Sequence, residues 1–443
     1  MHLCANTAGP FSKGSGAHEE VCAEMDAALH PSCFGQESGA GRMKILITGA
    51  SRHMNLGGPS IYHGLVRVLR HVFPACEIVY HEAVDVVAGG EGPFSEDPSI
   101  RHCFGREDAK KLLLEAWRMK WLGSSGNSGS LERRLIDEIR KADLLVDARG
   151  IDFTDRLSQM NFKGALASKP MIRAAALLGT PVVHYTASYG PMKCRWVRIA
   201  ARQVLGKCCA LAYCREEQSR QNLLDCGVPA EKLFVAPDTG FLMPSESVSL
   251  PELDSSRSCL GISVSHQIIR QWSAPTPYLD LIAQLCDRAI QEWKVQILLI
   301  PNELSDTRYD DLAVAREILD RVRDKSSVHI FPAEQYSGPE QKGAIARCDL
   351  FVASRYHSIV ASMSQAVPTV VIGWHHKYAE LLEQFGQGDV GLSSETCDFQ
   401  QLWARCEDLW GRRPEARDTI RASLPAVERR IFEAAEQLRS LFQ

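Results

Sequence analysis

The sequence lacks the patterns that would suit it to bind nucleic acid or to cross a membrane. Its 443 residues carry 50 lysine and arginine residues against 54 aspartate and glutamate residues, a formal net charge of −4. The broad basic surface that binds a phosphate backbone is therefore not expected. No apolar run reaches the roughly 18 residues that a membrane-spanning helix requires. These absences predict a protein without a nucleic-acid partner and without a membrane span.

Cysteine is plentiful, but its spacing forms neither a disulfide nor a zinc pattern. The 15 cysteines include no CxxC pair, and several lie in apolar runs such as CCALAYC at 208–214. An odd count without a regular framework favours reduced thiols, as in a cytoplasm. The missing spacing also argues against tetrahedral zinc. We therefore expect a cytoplasmic protein, free or peripheral to a membrane, that holds no metal.

The first 42 residues lack both helical periodicity and a secretory signal. A signal peptide would begin with basic residues and continue into an apolar stretch, and neither is present. We expect residues 1–42 to be a disordered extension, with the folded part beginning at Met43.

From Lys44 onward, short apolar strands alternate with helical segments. The strand KILITGAS, for example, precedes a helix with apolar residues at Ile61, Leu65 and Leu69. Such alternation predicts parallel sheets covered by helices on both faces. We predict an α/β protein with two Rossmann-like domains around a cleft. Its parts would be an N-terminal domain at 43–240, a linker at 241–257, a C-terminal domain at 258–398 and helices at 399–443 that pack back across both domains.

The stretch VASRYHSIVASMSQAVPTVVIGWHH at 352–376 places an arginine and a histidine directly after an apolar strand. Ligands of open α/β sheets bind beyond the carboxyl ends of the strands. We interpret Ser354 as the N-cap of the following helix, which puts Arg355 and His357 in its first turn. A helix N-terminus attracts anions, and an arginine fork can hold a carboxylate or phosphate. The stretch predicts an anion site beside a titratable histidine, with a surface salt bridge and a backbone-bonded histidine as the alternative.

Other strand ends supply further polar candidates. Arg215 and Glu216 follow the strand CALAYC, which favours a second anion clamp and an acid at a helix start. Asn55 and Gly57 belong to NLGG after the first strand; this segment either lets the backbone approach a ligand or is a plain tight turn, and it is not GxGxxG. The second half offers polar contacts to substrate, in preference to a metal site, from Asn302, Glu303, His375, His376 and Lys377.

Two groups of acidic residues receive different interpretations. Asp152 and Asp155 trail a strand and remain candidates for the site. Asp306, Asp310 and Asp311 lead into a helix, whose first turn ordinarily favours acids. We interpret these three as structural.

Taken together, these segments resemble the polysaccharide pyruvyl transferase family over roughly residues 44–390. The resemblance rests on ILITGAS with NLGG, DLLVDARGIDF, YGPMKCR, AYCREEQSRQNLLDCGV and VAPDTGF. Its most specific part is ASRYHSIVASMSQAVPTVVIGWHHKYAELLEQFG, where arginine, histidine, proline and an aromatic-lysine segment follow in one order. One departure is Gly58, which stands where the family usually has aspartate.

The resemblance implies a fold like that of GT-B glycosyltransferases, with phosphoenolpyruvate as donor and no cofactor. A sugar or glycan acceptor, free or lipid-linked, would receive a pyruvate ketal. The donor side would be the C-terminal domain and the acceptor side the N-terminal domain. In the family the arginine–histidine pair contacts the donor, which carries over to Arg355 and His357. A further arginine is expected from the first domain, and we assign it to Arg215, with Ser354 as a neighbouring donor contact. His357 would be catalytic, because it can titrate near neutrality and act as an acid or stabilise the departing phosphate. The acceptor or cleft contacts would be Asn55, Gly57, Asn302, Glu303, His375 and Lys377.

Two other functions remain open at this point. A nucleotide-sugar glycosyltransferase of GT-B type would place a carboxylate after the phosphate loop to hold ribose hydroxyls, yet no Asp or Glu lies between Arg355 and Tyr378. A non-catalytic anion-binding or sugar-binding protein would need the arginine but would tolerate loss of His357.

Overall fold

The computed structural model describes residues 42–50, 56–83, 99–123, 129–155, 159–250, 252–304, 310–373 and 377–443. Met43–Gln443 form one compact unit that contains two β-sheets. Within the described ranges, no helix is both long and apolar enough to cross a membrane.

The first sheet is parallel, and most of its strands are buried apolar runs. Its strands in spatial order are β3, β2, β1, β4, β6, β7 and β8, with β5 paired beside β6. Burial on both faces explains their apolar composition. The strands are β1 (Lys44–Thr48), β2 (Glu77–Glu82), β3 (Ile100–Phe104), β4 (Leu144–Asp147), β5 (Ile151–Asp152), β6 (Val182–Tyr189), β7 (Leu211–Cys214) and β8 (Leu233–Val235).

Helices cover both faces of the first sheet. They are α1 (Gly57–Val72), α2 (Ala109–Leu122), α3 (Leu131–Lys141), α4 (Phe162–Ala167), α5 (Pro170–Leu178), α6 (Arg195–Gln203), continued by a π-turn at Val204–Cys208, and α7 (Glu217–Asp225). Successive residues of β1 point to opposite faces. Ile45 and Ile47 therefore join the cluster that includes α1, whereas Leu46 joins the cluster that includes α2 to α6.

The second sheet is built in the same way, from parallel strands that alternate with helices. Its spatial order is β11, β10, β9, β12, β13 and β14, all parallel. The strands are β9 (Cys259–Ser263), β10 (Gln296–Ile300), β11 (Val328–Ile330), β12 (Leu350–Ala353), β13 (Thr369–Gly373) and β14 (Gly391–Ser393). The helices are α8 (His266–Ile269), α9 (Tyr278–Trp293), α10 (Asp311–Arg321), α11 (Gly338–Ala346), α12 (Tyr356–Ser364), α13 (Lys377–Glu383), α14 (Phe399–Gly411) and α15 (Arg413–Ala435).

The connection between the sheets is packed against its surroundings. It contains a 3₁₀ turn at Thr239–Leu242, whose residues are all buried. The Lys342 ammonium of α11 donates a hydrogen bond to the carbonyl oxygen of Met243 in the same connection. Further 3₁₀ turns lie at Ala230–Lys232, Lys325–Ser327, Gly388–Val390 and Glu436–Phe442.

The long helix α15 returns from the second half to the first. It contacts both α12 and α1. The Phe432 ring lies 4.6 Å from the ring of His71, and the Tyr213 hydroxyl donates to the carbonyl oxygen of Ala434 at 3.2 Å. This contact ties the two sheets together.

The predicted architecture of two Rossmann-like sheets is confirmed. The sequence did not predict β3 or β14. The interpretation of Ser354 as an N-cap is wrong, because Arg355 takes that position and caps the helix with no side-chain hydrogen bond. In both sheets the strand order reverses, between β1 and β4 and between β9 and β12. A ligand crevice is expected at the carboxyl ends of the strands beside such a reversal.

Candidate active site

A cleft of about 350 Å³ lies where the strand ends of the two sheets meet. Its lining includes residues that follow β1, β4 and β7 of the first sheet and β9, β10 and β12 of the second. Representative lining residues are Gly49, Gly150, Arg215, Ser265, Asn302 and Arg355. The sheet topology thus brings to one place side chains that are far apart in the sequence.

One side of this cleft contains an arginine and a histidine that share a carboxylate. The Nε of Arg215 lies 2.8 Å from Oδ2 of Asp238, and the Nε2 of His357 lies 3.5 Å from the same oxygen. Arg215 comes from the end of β7 and His357 from the first turn of α12. Asp238 therefore couples one residue from each half of the protein.

Asp238 is fixed by its own backbone surroundings. It follows β8 and begins the 3₁₀ turn, where its Oδ1 accepts a hydrogen bond from the Gly240 amide at 2.7 Å. Burial alone would raise the pKa of Asp238, but the charge of Arg215 and the hydrogen bond from His357 outweigh burial and lower the pKa to about 2. Asp238 is therefore a carboxylate throughout the neutral pH range.

Arg215 lines the cleft and still has unused hydrogen-bonding capacity. Its side chain is 1% exposed, and its Nη2 has no hydrogen-bond partner among the described residues. A β-carbon on Gly150 would lie 2.8 Å from this nitrogen, so the glycine makes room for the guanidinium. The Arg215 guanidinium also lies 5.5 Å from the Tyr356 ring, within the range of a cation–π contact. A buried, unpaired guanidinium N–H is well suited to receive an anion.

Arg355 lies in a more acidic setting. Its Nε and Nη2 donate to Oδ2 of Asp311 at 3.1 and 3.0 Å, and Nη2 also contacts Glu303. Burial alone would lower the pKa of Arg355, yet the charges of Asp311 and Glu303 outweigh burial and raise it. Arg355, which was predicted to bind an anion, is therefore already paired with two carboxylates of the protein, Asp311 and Glu303.

Asp311 holds this second group together. Its Oδ1 accepts hydrogen bonds from the amide and the Nδ1 of His266, both at 2.8 Å. Its Oδ2 accepts from the amide of Glu303 at 2.9 Å as well as from Arg355. Burial would raise the pKa of Asp311, but the hydrogen bond from His266 and the charge of Arg355 lower it instead. Asp311 lies in the first turn of α10 as interpreted, but the sequence did not predict that it also binds Arg355 and His266.

Asn302 joins the two halves beside the cleft. Its Nδ2 donates to the Ser263 hydroxyl at 2.6 Å, and its Oδ1 accepts from the Ser358 hydroxyl at 2.8 Å. Its backbone oxygen accepts from the Leu56 amide at 3.0 Å, which fixes the start of α1. Asn302 thus lines the cleft, but the hydrogen bonds of its side chain go to other residues of the protein.

The remaining predicted site residues have varied positions. Gly57 and Glu303 line the cleft as expected. Ser354 is buried and bonds to the Tyr278 hydroxyl at 3.0 Å. Lys377 begins α13. Asn55, His375 and His376 lie outside the described residues.

The other acidic candidates that the structure describes do not line the cleft. Asp152 is buried against Lys169 and His184, and Asp155 accepts from the Lys193 amide at 2.7 Å. Asp310 caps α10 as interpreted, because its side chain accepts from the Ala313 amide. Asp306 lies outside the described residues.

Glu216 is the N-cap of α7. It makes no side-chain cap hydrogen bond, and it accepts from the hydroxyls of Ser188 and Ser219.

Sequence reasoning missed Asp238 and His266. Both follow a strand of the parallel sheets, at the same edge as the predicted residues. That position was the available signal, but the Pro and Ser residues after Asp238 favoured a linker. Among the described residues, no group of three His, Cys, Asp or Glu side chains is placed to hold a metal ion.

Comparison with solved structures identifies the fold. Anabaena HepE, in complex with UDP and glucose, superposes with a TM-score of 0.55 at 14% identity, covering 90% of this chain and 99% of that chain. The UDP-GlcNAc 2-epimerase of Neisseria meningitidis, bound to UDP-GlcNAc, gives a TM-score of 0.52 at 12% identity, covering 90% and 99%. These likenesses support the GT-B-like arrangement of two parallel sheets.

Comparison of sequences identifies the family. The amylovoran biosynthesis protein AmsJ of Erwinia amylovora is 22% identical over 310 residues, which are 66% of this chain and 71% of AmsJ. The family described as polysaccharide pyruvyl transferase matches residues 55–376, a span that contains Arg215, Asp238 and His357. The chain belongs to the polysaccharide pyruvyl transferase family.

Proposed function

We propose that this protein transfers a pyruvyl group from phosphoenolpyruvate to two hydroxyls of a sugar, forming a pyruvate ketal and releasing phosphate. The acceptor would be a polysaccharide or its precursor, and the name of the relative AmsJ, which refers to amylovoran biosynthesis, supports that class. The cleft between the two sheets would be the place of reaction.

The observation that carries the proposal is the unpaired Nη2 of buried Arg215 at the cleft wall. Phosphoenolpyruvate bears a carboxylate and a phosphate, and a guanidinium with unused N–H groups is a strong partner for either. His357 shares Asp238 with Arg215 and lines the same cleft. The donor would therefore meet a fixed positive charge next to a group able to move a proton.

The first step would be addition to the enol. A proton is added to the terminal CH₂ carbon of phosphoenolpyruvate, which becomes a methyl group, and positive charge develops at the neighbouring carbon. One sugar hydroxyl forms a C–O bond there and loses its proton. His357 would act as the acid in this step, and such general acid catalysis is worth about 10²–10⁴-fold in rate.

The second step would be loss of phosphate. The C–O bond to phosphate breaks with its electron pair, and a second hydroxyl of the same sugar bonds to the resulting oxocarbenium carbon. That hydroxyl proton ends on phosphate, so two hydroxyl protons balance the new methyl hydrogen and the released hydrogen phosphate. Arg215 would stabilise the negative charge of the leaving group.

Arg355 would be a second donor contact, but it would first have to release one of its present partners. Its guanidinium is paired with Glu303 and Asp311, and Glu303 is the more exposed of the two carboxylates. An incoming donor anion could displace Glu303 while buried Asp311 keeps the arginine in place. Glu303 would then be available to the acceptor hydroxyl.

Calorimetric titration of the purified protein tests the donor. Phosphoenolpyruvate, UDP-glucose and UDP-GlcNAc are titrated separately under the same conditions. We expect measurable binding of phosphoenolpyruvate and none of the nucleotide sugars. Tight binding of a nucleotide sugar without phosphoenolpyruvate binding would instead make this a glycosyltransferase.

A His357→Asn variant tests whether His357 takes part in the reaction. We expect this variant to bind phosphoenolpyruvate but to release phosphate in the presence of a glycan acceptor about 10²–10⁴-fold more slowly. Equal turnover by the variant and the parent on a productive acceptor would remove His357 from the chemistry.

A further inference from the structure

Large apolar side chains are exposed on three helices of the first sheet, α2, α4 and α6. They are between 42% and 65% exposed and are Leu114, Trp117, Trp121, Leu122, Phe162, Leu166 and Ile199. Isolated exposed apolar residues are common, but a group that includes two half-exposed tryptophans indicates an interaction site. We call the exposed side of these three helices the tryptophan face.

The three helices lie on the same side of the sheet. Ala116 of α2, Ala165 of α4 and Ala200 of α6 are all buried in one hydrophobic cluster. The exposed sides of the helices therefore point away from that cluster toward solvent. The edge-to-face contact of Phe162 with Trp196, at 5.4 Å between ring centroids, links α4 to α6.

On α2 the exposed apolar residues form a stripe. Leu114, Trp117 and Trp121 are spaced three and four residues apart, which places them on one face of the helix. Leu112 and Ala116 are buried on the opposite face. Core packing of this helix is therefore already complete without the tryptophans.

The charged side chains among these residues are almost all basic. They are Lys110, Lys111, Arg118, Lys120, Lys163, Arg195, Arg198 and Arg202, with Glu115 as the one acid within the three helices. Lys120 lies 5.6 Å from the Trp121 ring, and Arg195 lies 4.3 Å from the Trp196 ring. This local excess of positive charge contrasts with the net charge of −4 of the whole chain.

We propose that the tryptophan face docks the protein on an anionic lipid bilayer. Tryptophan prefers the membrane–water interface, and lysine and arginine stems reach along apolar surface to keep their charges at the headgroups. Amphipathic helices with apolar aromatics beside basic residues bind in this way, parallel to the surface. A second copy of the chain is a poorer occupant, because a two-fold interface would bring the same basic residues together.

Docking on lipid would have a consequence for the acceptor. A sugar carried on a membrane lipid would be supplied at the surface on which the protein lies. This consequence rests on the proposed pyruvyl transfer, whereas lipid binding itself needs neither donor nor acceptor. An experiment can therefore refute lipid docking without refuting pyruvyl transfer, and the reverse.

Vesicle flotation of the full chain tests the proposal. The vesicles are phosphatidylcholine with phosphatidylglycerol, and pure phosphatidylcholine is the neutral comparison. We expect the parent protein to float with the anionic vesicles and to be released by added salt. In a Trp117→Ser, Trp121→Ser double variant, the bound fraction should fall about tenfold.

The controls exclude general damage and a protein partner. Phe442→Ser removes an aromatic that is also 44% exposed but lies outside the tryptophan face, and it should bind vesicles like the parent. Thermal unfolding checks that the double variant is folded. Failure of the parent to float, or equal flotation of the double variant, would overturn the proposal. A parent dimer that the double variant dissociates would assign the face to a second copy instead.

Discussion

At the scale of single residues, Asp238 is the link between the two groups that would handle the donor. Its Oδ2 lies 2.8 Å from Nε of Arg215 in the first half and 3.5 Å from Nε2 of His357 in the second, its Oδ1 accepts from the Gly240 amide, and its side chain is completely buried. A buried carboxylate is costly unless it is paired and hydrogen-bonded, and these partners supply that compensation. Asp238 is therefore a positioning residue, and its removal should displace both Arg215 and His357.

We expect Asp238→Asn to lower kcat/KM for phosphoenolpyruvate by about 10²-fold, because Arg215 and His357 lose their shared carboxylate. The pH dependence of kcat/KM should also change, because His357 loses the carboxylate that faces it. Asp238 itself is ionised across this range. Steady-state rates measured from pH 5 to 9 check both expectations.

Asp137→Asn is the matched control, because it removes a partly exposed carboxylate that pairs with Arg133 on α3. Its rate and pH profile should match those of the parent. A purely structural role for Asp238 would lower the amount of folded enzyme without moving the pH profile.

If the donor binds Arg355 as proposed, Glu303 would compete with it and weaken donor binding in the parent. Glu303→Gln removes one negative charge next to the guanidinium, and we expect phosphoenolpyruvate to bind about tenfold more tightly. Calorimetric titration of parent and variant measures the difference. Weaker binding by Glu303→Gln would mean that the donor does not approach Arg355.

The site residues that follow a strand and begin a helix could be predicted from sequence, as Arg215, Arg355 and His357 were. Their apolar strands and polar strand ends are visible in the linear sequence. Asp238 and Asp311 were missed because their roles depend on partners 119 and 44 residues away in the chain, respectively. The strand end before Asp238 was a local signal, but no local pattern shows which distant partners such an aspartate will meet.

At the scale of secondary-structure elements, the contact of α1 with the 3₁₀ turn at Thr239–Leu242 fixes Asp238. A β-carbon on Gly64 of α1 would lie 1.9 Å from the carbonyl oxygen of Thr239. The helix and the turn can approach this closely only because residue 64 lacks a side chain. The same turn carries Asp238 at its start, so this packing sets the position of the carboxylate.

We expect Gly64→Ala to lower the free energy of unfolding by about 1–3 kcal/mol, because the added methyl forces the turn away from α1. Gly411→Ala is the control, because a β-carbon there meets nothing within 4 Å. Urea denaturation of both variants gives the comparison. Equal stability of the two variants would contradict the close packing.

Long buried strands and amphipathic helices could be predicted at this scale, whereas short edge strands could not. β3 is the sequence IRHCF, which mixes charged and apolar residues at the edge of the first sheet. β14 has three residues at the edge of the second sheet. Both are defined by pairing with a neighbouring strand, which a local pattern does not reveal.

At the scale of the whole molecule, the two sheets are held as one unit by buried polar contacts as well as by apolar packing. Lys342 of α11 is 2% exposed, and its ammonium donates to the carbonyl oxygens of Phe241 and Met243. Burial lowers the pKa of Lys342 to about 7. In the unfolded chain the same lysine should titrate near its ordinary pKa of about 10.4.

This shift predicts a pH-dependent stability. Between pH 7 and 10 the unfolded chain holds a proton on Lys342 that the folded protein has lost, so this group makes the free energy of unfolding rise with pH. Relative to Lys342→Met, the parent should gain on the order of 1 kcal/mol per pH unit in this range. Urea denaturation of both proteins at several pH values measures the difference.

The comparison with Lys342→Met is necessary because buried thiols act in the opposite direction. Burial raises the pKa of Cys209 and Cys286, so the unfolded chain loses their protons first as the pH rises. That contribution is common to parent and variant and cancels in the difference. A difference that stays constant from pH 7 to 10 would contradict the buried, neutral state of Lys342.

The two-sheet fold could be predicted from the alternation of apolar strands and helices, because burial on both faces gives parallel strands a distinct composition. The cleft could be located in outline for the same reason. The pairing of Arg215 and Arg355 with their carboxylates could not be predicted, because it depends on how the two sheets meet.

The central claim is that phosphoenolpyruvate binds against the unpaired guanidinium edge of Arg215. Calorimetric titration of phosphoenolpyruvate into the parent, Arg215→Ala and Arg215→Lys tests it most directly. Arg133→Ala, at a residue that does not line the cleft, is the control, and thermal unfolding confirms that each variant is folded. We expect Arg215→Ala to bind at least about 100-fold more weakly, and Arg215→Lys to recover only part of the affinity because it lacks the planar fork. Undiminished phosphoenolpyruvate binding by a folded Arg215→Ala variant would contradict the claim.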